Sequence, residues 1–250
     1  MNAVIVIPIY RETLTDSERA SLVQCCKVLG QYKMSLVCPR GLNTVVYAEI
    51  FNSFKVRYSV HEFDKKYFGS TKTYNQLMLN VDLYRKFEES DFILIYQLDA
   101  YVFRDDLKYW CMEGYDFIGA PWTRFDFLRN KMHLIEAGVN GGLSLRKISS
   151  FVRVLSSDSR EDYMSQKGIL AVLRSKIPFI QKERNEDGFF SVYARKIDPT
   201  FRVAPMEVAM KFSFEYNPEK LFEMTGQKLP FGCHAWEKYS PEFWKKYIHI

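Results

Sequence analysis

DFILIYQLDAYVF, residues 91–103, is an apolar run interrupted near its end by one carboxylate, Asp99. Phe92 to Leu98 reads as a strand buried on both faces, the pattern of a central strand in a parallel sheet. Asp99 then lies at the carboxyl end of that strand, the edge at which parallel α/β sheets bind ligands. Its charge has two readings. It turns the chain, as Asp commonly does, or it holds Mg²⁺ or Mn²⁺ shared with substrate phosphates.

The sequence before this stretch supports a parallel arrangement. Ala3 to Ile9 is a second doubly buried run, with Pro8 tolerated only near its end. Thr15 and Glu18 have capping-box spacing, Leu22, Cys26 and Leu29 share one helical face, and Gly30 stops the helix. MSLVC (34–38) closes a βαβ unit, and the alternating KVRYSVHEF (55–63) predicts a half-buried or edge strand. Ser70 or Thr71 caps one helix carrying Tyr74, Leu77, Met78, Val81 and Tyr84.

After residue 105 the pattern is mixed. A short helix is predicted near 106–113, a strand at DFIGA (116–120), an irregular aromatic segment, and a strand in GVNGGLSLR (138–146). Helices follow from about 147, near 161–175 and from NEDGFFS at 185, then strand-like RVAP and VAMKFSFE. Absence of repeats and low-complexity linkers predicts a single domain over residues 1–250.

Composition excludes several classes. Lys and Arg number 35 against 30 Asp and Glu, an interspersed excess of +5 that is no nucleic-acid footprint but suits an anionic substrate or a lipid surface. No run approaches the roughly 18 apolar residues of a membrane span, and AVIVIPIY lacks a basic leader, which predicts a cytoplasmic protein. Five cysteines without paired C-x-x-C spacing read as reduced, buried thiols.

Three further constellations carry chemistry. In NEDGFF, Asn185, Glu186 and Asp187 either cap a helix or supply a general base beside a cleft. Gly141 and Gly142, adjacent in a strand, mark a bulge or the close approach of a ligand to the backbone. His234 in PFGCHAW is a packed imidazole or a metal ligand. Trp122 and Trp236 flank these segments as core residues or sugar platforms.

In this order the signals resemble a nucleotide-sugar-dependent glycosyltransferase of the GT-A fold: VIVIPIY as the nucleotide-binding start, QLDAYVF at the D-x-D position, NGGLSLR as the glycine-rich segment, NED as the x-E-D motif of inverting members, and HAW as a late metal-binding histidine. Together with DFIGAPW and EDGFFS, the arrangement is most similar to a bacterial domain family of unknown function found among polysaccharide-synthesis genes. Gln97 replaces the first acid of D-x-D. The resemblance implies a GT-A-like, Rossmann-related fold with a mixed, mostly parallel central sheet flanked by helices.

It also implies a hexosyltransferase-class enzyme acting on a saccharide or lipid-linked saccharide in bacterial surface polysaccharide synthesis. Asp99 and His234 would hold Mn²⁺ or Mg²⁺, with a metal-independent variant as the alternative. Pro8, Tyr10, Arg11, Gly141 and Gly142 would contact the donor, and Gln97 would contact the ribose or help position the ion. Asp187 would act as base, with Glu186 orienting the acceptor or capping, and the anomeric configuration would invert. The competing class is a noncatalytic carbohydrate- or nucleotide-binding protein on a degenerate transferase fold. A nucleotidyltransferase would carry a glycine- and basic-rich phosphate loop, which IYRETLTD is not. The tail, where Trp236, Tyr239, Phe243, Trp244, Lys245, Lys246 and Tyr247 mix aromatics with cations, suits peripheral contact with the inner face of a membrane or plain core packing.

Overall fold

A computed structural model describes residues 1–126, 131–158 and 185–249, with the backbone alone described at 123–126 and 131–137. The helix expected near 161–175 lies outside the described residues. At the centre are β1 (Ala3–Pro8) and β4 (Phe92–Tyr96), whose apolar runs are buried on both faces. They pair in parallel, Val4 beside Ile93 and Val6 beside Ile95. On the other side of β1 run β2 (Lys33–Pro39) and then β3 (Tyr58–Phe63), both parallel and the latter half exposed at the sheet edge. Antiparallel β7 (Lys131–Lys147) and β6 (Phe117–Asp126) complete the order β3-β2-β1-β4-β7-β6.

The capping box forms as its spacing predicts. Thr15 accepts from the Glu18 backbone N–H, Glu18 accepts from that of Thr15, and α1 (Asp16–Leu29) buries Leu22, Cys25, Cys26 and Leu29. All five cysteines are free and buried. Helix α2 (Val45–Ser53) has no counterpart among the sequence expectations. The single helix expected after Ser70 is two, α3 (Thr71–Met78) and α4 (Val81–Arg85), because Asn80 adopts extended backbone and caps the second one. Helices α5 (Leu107–Met112) and α6 (Ile148–Leu155) stand where the periodicity puts them.

Further expectations are corrected. The strand at 116–120 runs on to Asp126 in place of an irregular segment; its ladder slips on either side of Pro121, which has no N–H to donate, so the irregularity is confined to bulges. VAMKFSFE is not one strand: Met206–Phe212 is helical, and only Ser213–Phe214 forms β8. Pro205 at the helix entry and the Met, Glu, Ala and Lys that follow favour that outcome. Asn185 occupies the N-cap position of α7, a continuous helix made of Glu186–Gly188, a π-helical Phe189–Tyr193 and Ala194–Ile197. Its side chain makes no cap bond and instead accepts from Asn75 at 3.3 Å.

The stretch at 91–103 also stops short of its expected end. Ala100 N–H donates to the Gln97 carbonyl at 2.9 Å, so Gln97-Leu98-Asp99 is a tight turn. The chain leaves the large sheet there as β5 (Ala100–Val102) and joins β9 (Gly232–His234) and β8 in a second sheet. Around this small sheet Tyr101, Phe214, Trp236, Phe243 and Trp244 form a separate apolar cluster. Trp236, Phe243 and Trp244 of the tail are thus core, whereas Tyr239 and Tyr247 are half-buried and Lys245 and Lys246 are exposed. Among the described residues no helix is long and apolar enough to cross a membrane.

Candidate active site

Strand order reverses between β2-β1 and β4, and a cleft opens at the carboxyl ends of β1 and β4, where that reversal leaves a crevice. Its volume is about 450 Å³. Pro8, Tyr10 and Arg11 from the end of β1 form one wall, and Gln97, Leu98 and Asp99 from the turn after β4 form the other. Glu18, Tyr47, Phe68, Ser70, Thr71 and Tyr74, none of them site candidates from the sequence, also line it. Tyr10 stands at the rim, 59% exposed, with the Arg11 guanidinium over its ring at 5.1 Å. Arg11 is paired with Glu18, and its carbonyl accepts from the Tyr47 hydroxyl at 2.8 Å.

His234 reaches the same corner through the second sheet. The antiparallel β5–β9 register sets Ala100 opposite His234, and the imidazole Nε2 comes 3.1 Å from Asp99 Oδ1 and 3.1 Å from Gln97 Oε1. Adjacent ligands of an octahedral ion at about 2.1 Å stand about 3 Å apart, so these separations fit a shared Mg²⁺ or Mn²⁺. Among the described residues no three His, Cys, Asp or Glu side chains gather at ligand spacing; the third group at this corner is the neutral Gln97 side-chain carbonyl. Burial works to lower the His234 pKa, but Asp99 and Glu215 outweigh it and push it up to about 10, so without an ion the ring carries a hydrogen on each nitrogen, and a metal ion at Nε2 would have to displace the one there. Burial likewise opposes the Asp99 charge, while His234 and, more weakly, Lys238 hold that carboxyl below its usual range.

The paired glycines serve side chains of the protein itself. A Cβ on Gly142 would sit 2.0 Å from His234 Nε2, and one on Gly141 would sit 2.0 Å from Glu186 Oε1. The room at these positions is taken by His234 and Glu186, and neither glycine lines the cleft. Gly142 also accepts from Gln97 N–H at 3.0 Å, which ties the turn to β7. Gly142→Ala should therefore displace the histidine and cost about 1–3 kcal/mol, the usual range for overpacking. An unchanged urea midpoint together with unchanged Mn²⁺ uptake would refute this packing argument.

The two acids of NED part company. Glu186 is buried and paired with Arg146 at 2.9 Å, and Arg146, 0% exposed, also donates to Ser144, Tyr84 and the Gly141 carbonyl. Its guanidinium lies over the Phe117 and Phe151 rings. Asp187 is half-buried, accepts from Gly188 N–H at 2.9 Å, and neighbours Tyr216, whose phenol is pushed up by burial first and then by surrounding groups that include Glu215 and Asp187. Trp122 and Trp236 are buried, the packing role of their two readings.

The residues around this corner match a family model. Residues 57–234 fit the one described as "Protein of unknown function (DUF5672)". The chain belongs to the DUF5672 family. The matched segment holds Gln97, Asp99, Gly141, Gly142, Glu186, Asp187 and His234, while the β1 wall of the cleft lies before it. No curated protein matches the DUF5672 chain in sequence.

Solved structures match its fold. The apo form of the glycosyltransferase GlyE of Streptococcus pneumoniae TIGR4 superposes with TM-score 0.54 at 12% identity, over 100% of this chain and 61% of GlyE. The DUF5672 chain thus spans about three fifths of GlyE's length. Apo mouse xyloside xylosyltransferase 1 gives 0.52 at 11% over 94% of this chain and 97% of its own. The galactosyltransferase LgtC, in complex with donor and acceptor sugar analogs, gives 0.51 at 12% over 95% and 87%. The fold of this DUF5672 chain is that of the GT-A glycosyltransferases.

Glu215 and Lys238 are the residues at this corner that sequence reading passes over. Glu215 carried a signal: FSFEY (212–216), like LIYQLDAYV, sets one acid among apolar and aromatic residues. Lys238 follows His234 in HAWEK without any pattern of its own.

Proposed function

We propose that this chain is a glycosyltransferase that moves a sugar from a nucleoside-diphosphate donor to a saccharide or lipid-linked saccharide, in bacterial surface polysaccharide synthesis. The observation that carries this reading is the convergence of Gln97, Asp99 and His234 at one end of a cleft built on a GT-A fold. Asp99, His234 and the Gln97 carbonyl would hold Mn²⁺ or Mg²⁺, which when bound neutralises charge developing on the leaving diphosphate. Lys238, whose charge already reaches Asp99, supplies a second cation at that corner. The exposed Tyr10 ring offers a face to the nucleoside base, with Pro8 and Arg11 beside it.

Asp187 is the base in this reading. Its carboxylate takes the proton from an acceptor hydroxyl as the anomeric carbon is attacked, and attack opposite the leaving group inverts the configuration. Five buried free thiols suit a reducing compartment, so the enzyme works in the cytoplasm, meeting a lipid-linked acceptor at the inner membrane face.

The test is donor hydrolysis and transfer across a panel of nucleotide sugars, with Mn²⁺ and with excess chelator. Turnover by the wild type that needs Mn²⁺, and that Asp99→Asn removes with the fold intact, is the expected result. Equal turnover in chelator removes the metal from the reading. A donor that binds but is neither hydrolysed nor transferred makes the chain a carbohydrate- or nucleotide-binding protein.

A further inference from the structure

Glu215 is 3% exposed, yet no hydrogen bond satisfies its Oε2. A buried carboxylate oxygen without a partner is costly, and such groups call for an explanation. Parallel pairing sets Phe214 of β8 beside Cys233 of β9, which brings the next residues, Glu215 and His234, abreast. Glu215 Oε1 lies 3.6 Å from His234 Nδ1, and that nitrogen is itself buried without a hydrogen bond. The gap is ion-pair distance, and a small rotation of either side chain would close it to a hydrogen bond. The imidazole thus has carboxylates at both edges, Asp99 at Nε2 and Glu215 at Nδ1, while Gly142 packs against the ring.

We propose that Glu215 is a positioning residue that accepts the Nδ1 hydrogen of His234 and so keeps the Nε2 lone pair aimed at the point shared by Asp99 and Gln97. The inference rests on the metal site of the proposed function. Neutral imidazole carries one hydrogen and one lone pair, and the partner of one nitrogen decides which is which. Without an acceptor at Nδ1 the ring gains nothing by keeping its hydrogen there. Glu215 is not itself a ligand, because the two ring nitrogens face opposite edges and its oxygen is on the far one.

The test compares the wild type with Glu215→Gln and Glu215→Leu. Mn²⁺ uptake is read by the loss of the free-ion electron paramagnetic resonance signal. Imidazole nitrogen spectra are recorded with Zn²⁺ as a diamagnetic stand-in, and thermal midpoints are taken without metal. Loss of an outer-shell partner typically weakens metal affinity about 10–100-fold, and Glu215→Leu should fall in that range. Glu215→Gln, which keeps an oxygen acceptor at the same reach, should recover most of the loss. In the metal-loaded wild type the hydrogen should be on Nδ1. If folded Glu215→Leu binds Mn²⁺ as tightly as the wild type, or if its midpoint falls while affinity and the nitrogen spectrum hold, the positioning role is overturned and Glu215 is structural. A wild type that takes up neither metal overturns the metal site itself, and this inference with it.

Discussion

Glu186→Ala should lower the stability of the chain by about 3–5 kcal/mol, the usual cost of removing one partner from a buried ion pair. The substitution leaves Arg146, wholly excluded from solvent, with a full positive charge and only the neutral oxygens of Ser144, Tyr84 and Gly141 around it. Glu186→Gln keeps an acceptor and should cost less, and Arg146→Ala should cost about as much as Glu186→Ala. The measurement is the urea midpoint at unchanged m-value, since a change in m would report a different unfolded state. If Glu186→Ala unfolds at the wild-type midpoint while transfer collapses, Glu186 serves the acceptor and the structural pairing is secondary.

Asp187→Asn should reduce kcat by about 10²–10⁴-fold, the range that a positioned general base supplies. Donor affinity, measured by calorimetry, should hardly change, because the amide keeps the shape and removes only the proton acceptor. The product's anomeric configuration, read by NMR, should be opposite to that of the donor. Near-wild-type transfer by Asp187→Asn would sink the base assignment and the inverting reading that rests on it. The two NED variants together separate a stability defect from a chemical one. On a helix, consecutive side chains diverge by about 100°, so Glu186 and Asp187 cannot both face the core.

Much of the sheet was legible from local pattern. AVIVIP and FILIY are apolar without alternation, and both became central parallel strands. Thr15 and Glu18 announced α1 through a capping box that operates over three residues. The wall of the cleft at Pro8, Tyr10, Arg11, Gln97 and Asp99 follows from such strands, because their carboxyl ends must share one edge. Less was legible where two segments decide together. VAMKFSFE has residues that suit a helix or a strand, and its neighbours chose a helix followed by a two-residue strand.

What the sequence determined by itself is therefore the parallel core, the edge at which a ligand would sit, and the single acid stationed on it. Tertiary structure alone decided the company that acid keeps. Gln97 and His234 stand 137 positions apart, and they meet because the chain leaves β4 in a tight turn and pairs β5 with β9. Arg146 claims Glu186, His234 takes the space above Gly142, and Trp236, Phe243 and Trp244 turn inward, each through a contact between distant segments. Hydrophobic period and capping are properties of a few consecutive residues, written in the order of the chain. A buried carboxylate's partner, or a histidine's, is settled only when packing has excluded water and left one group within reach.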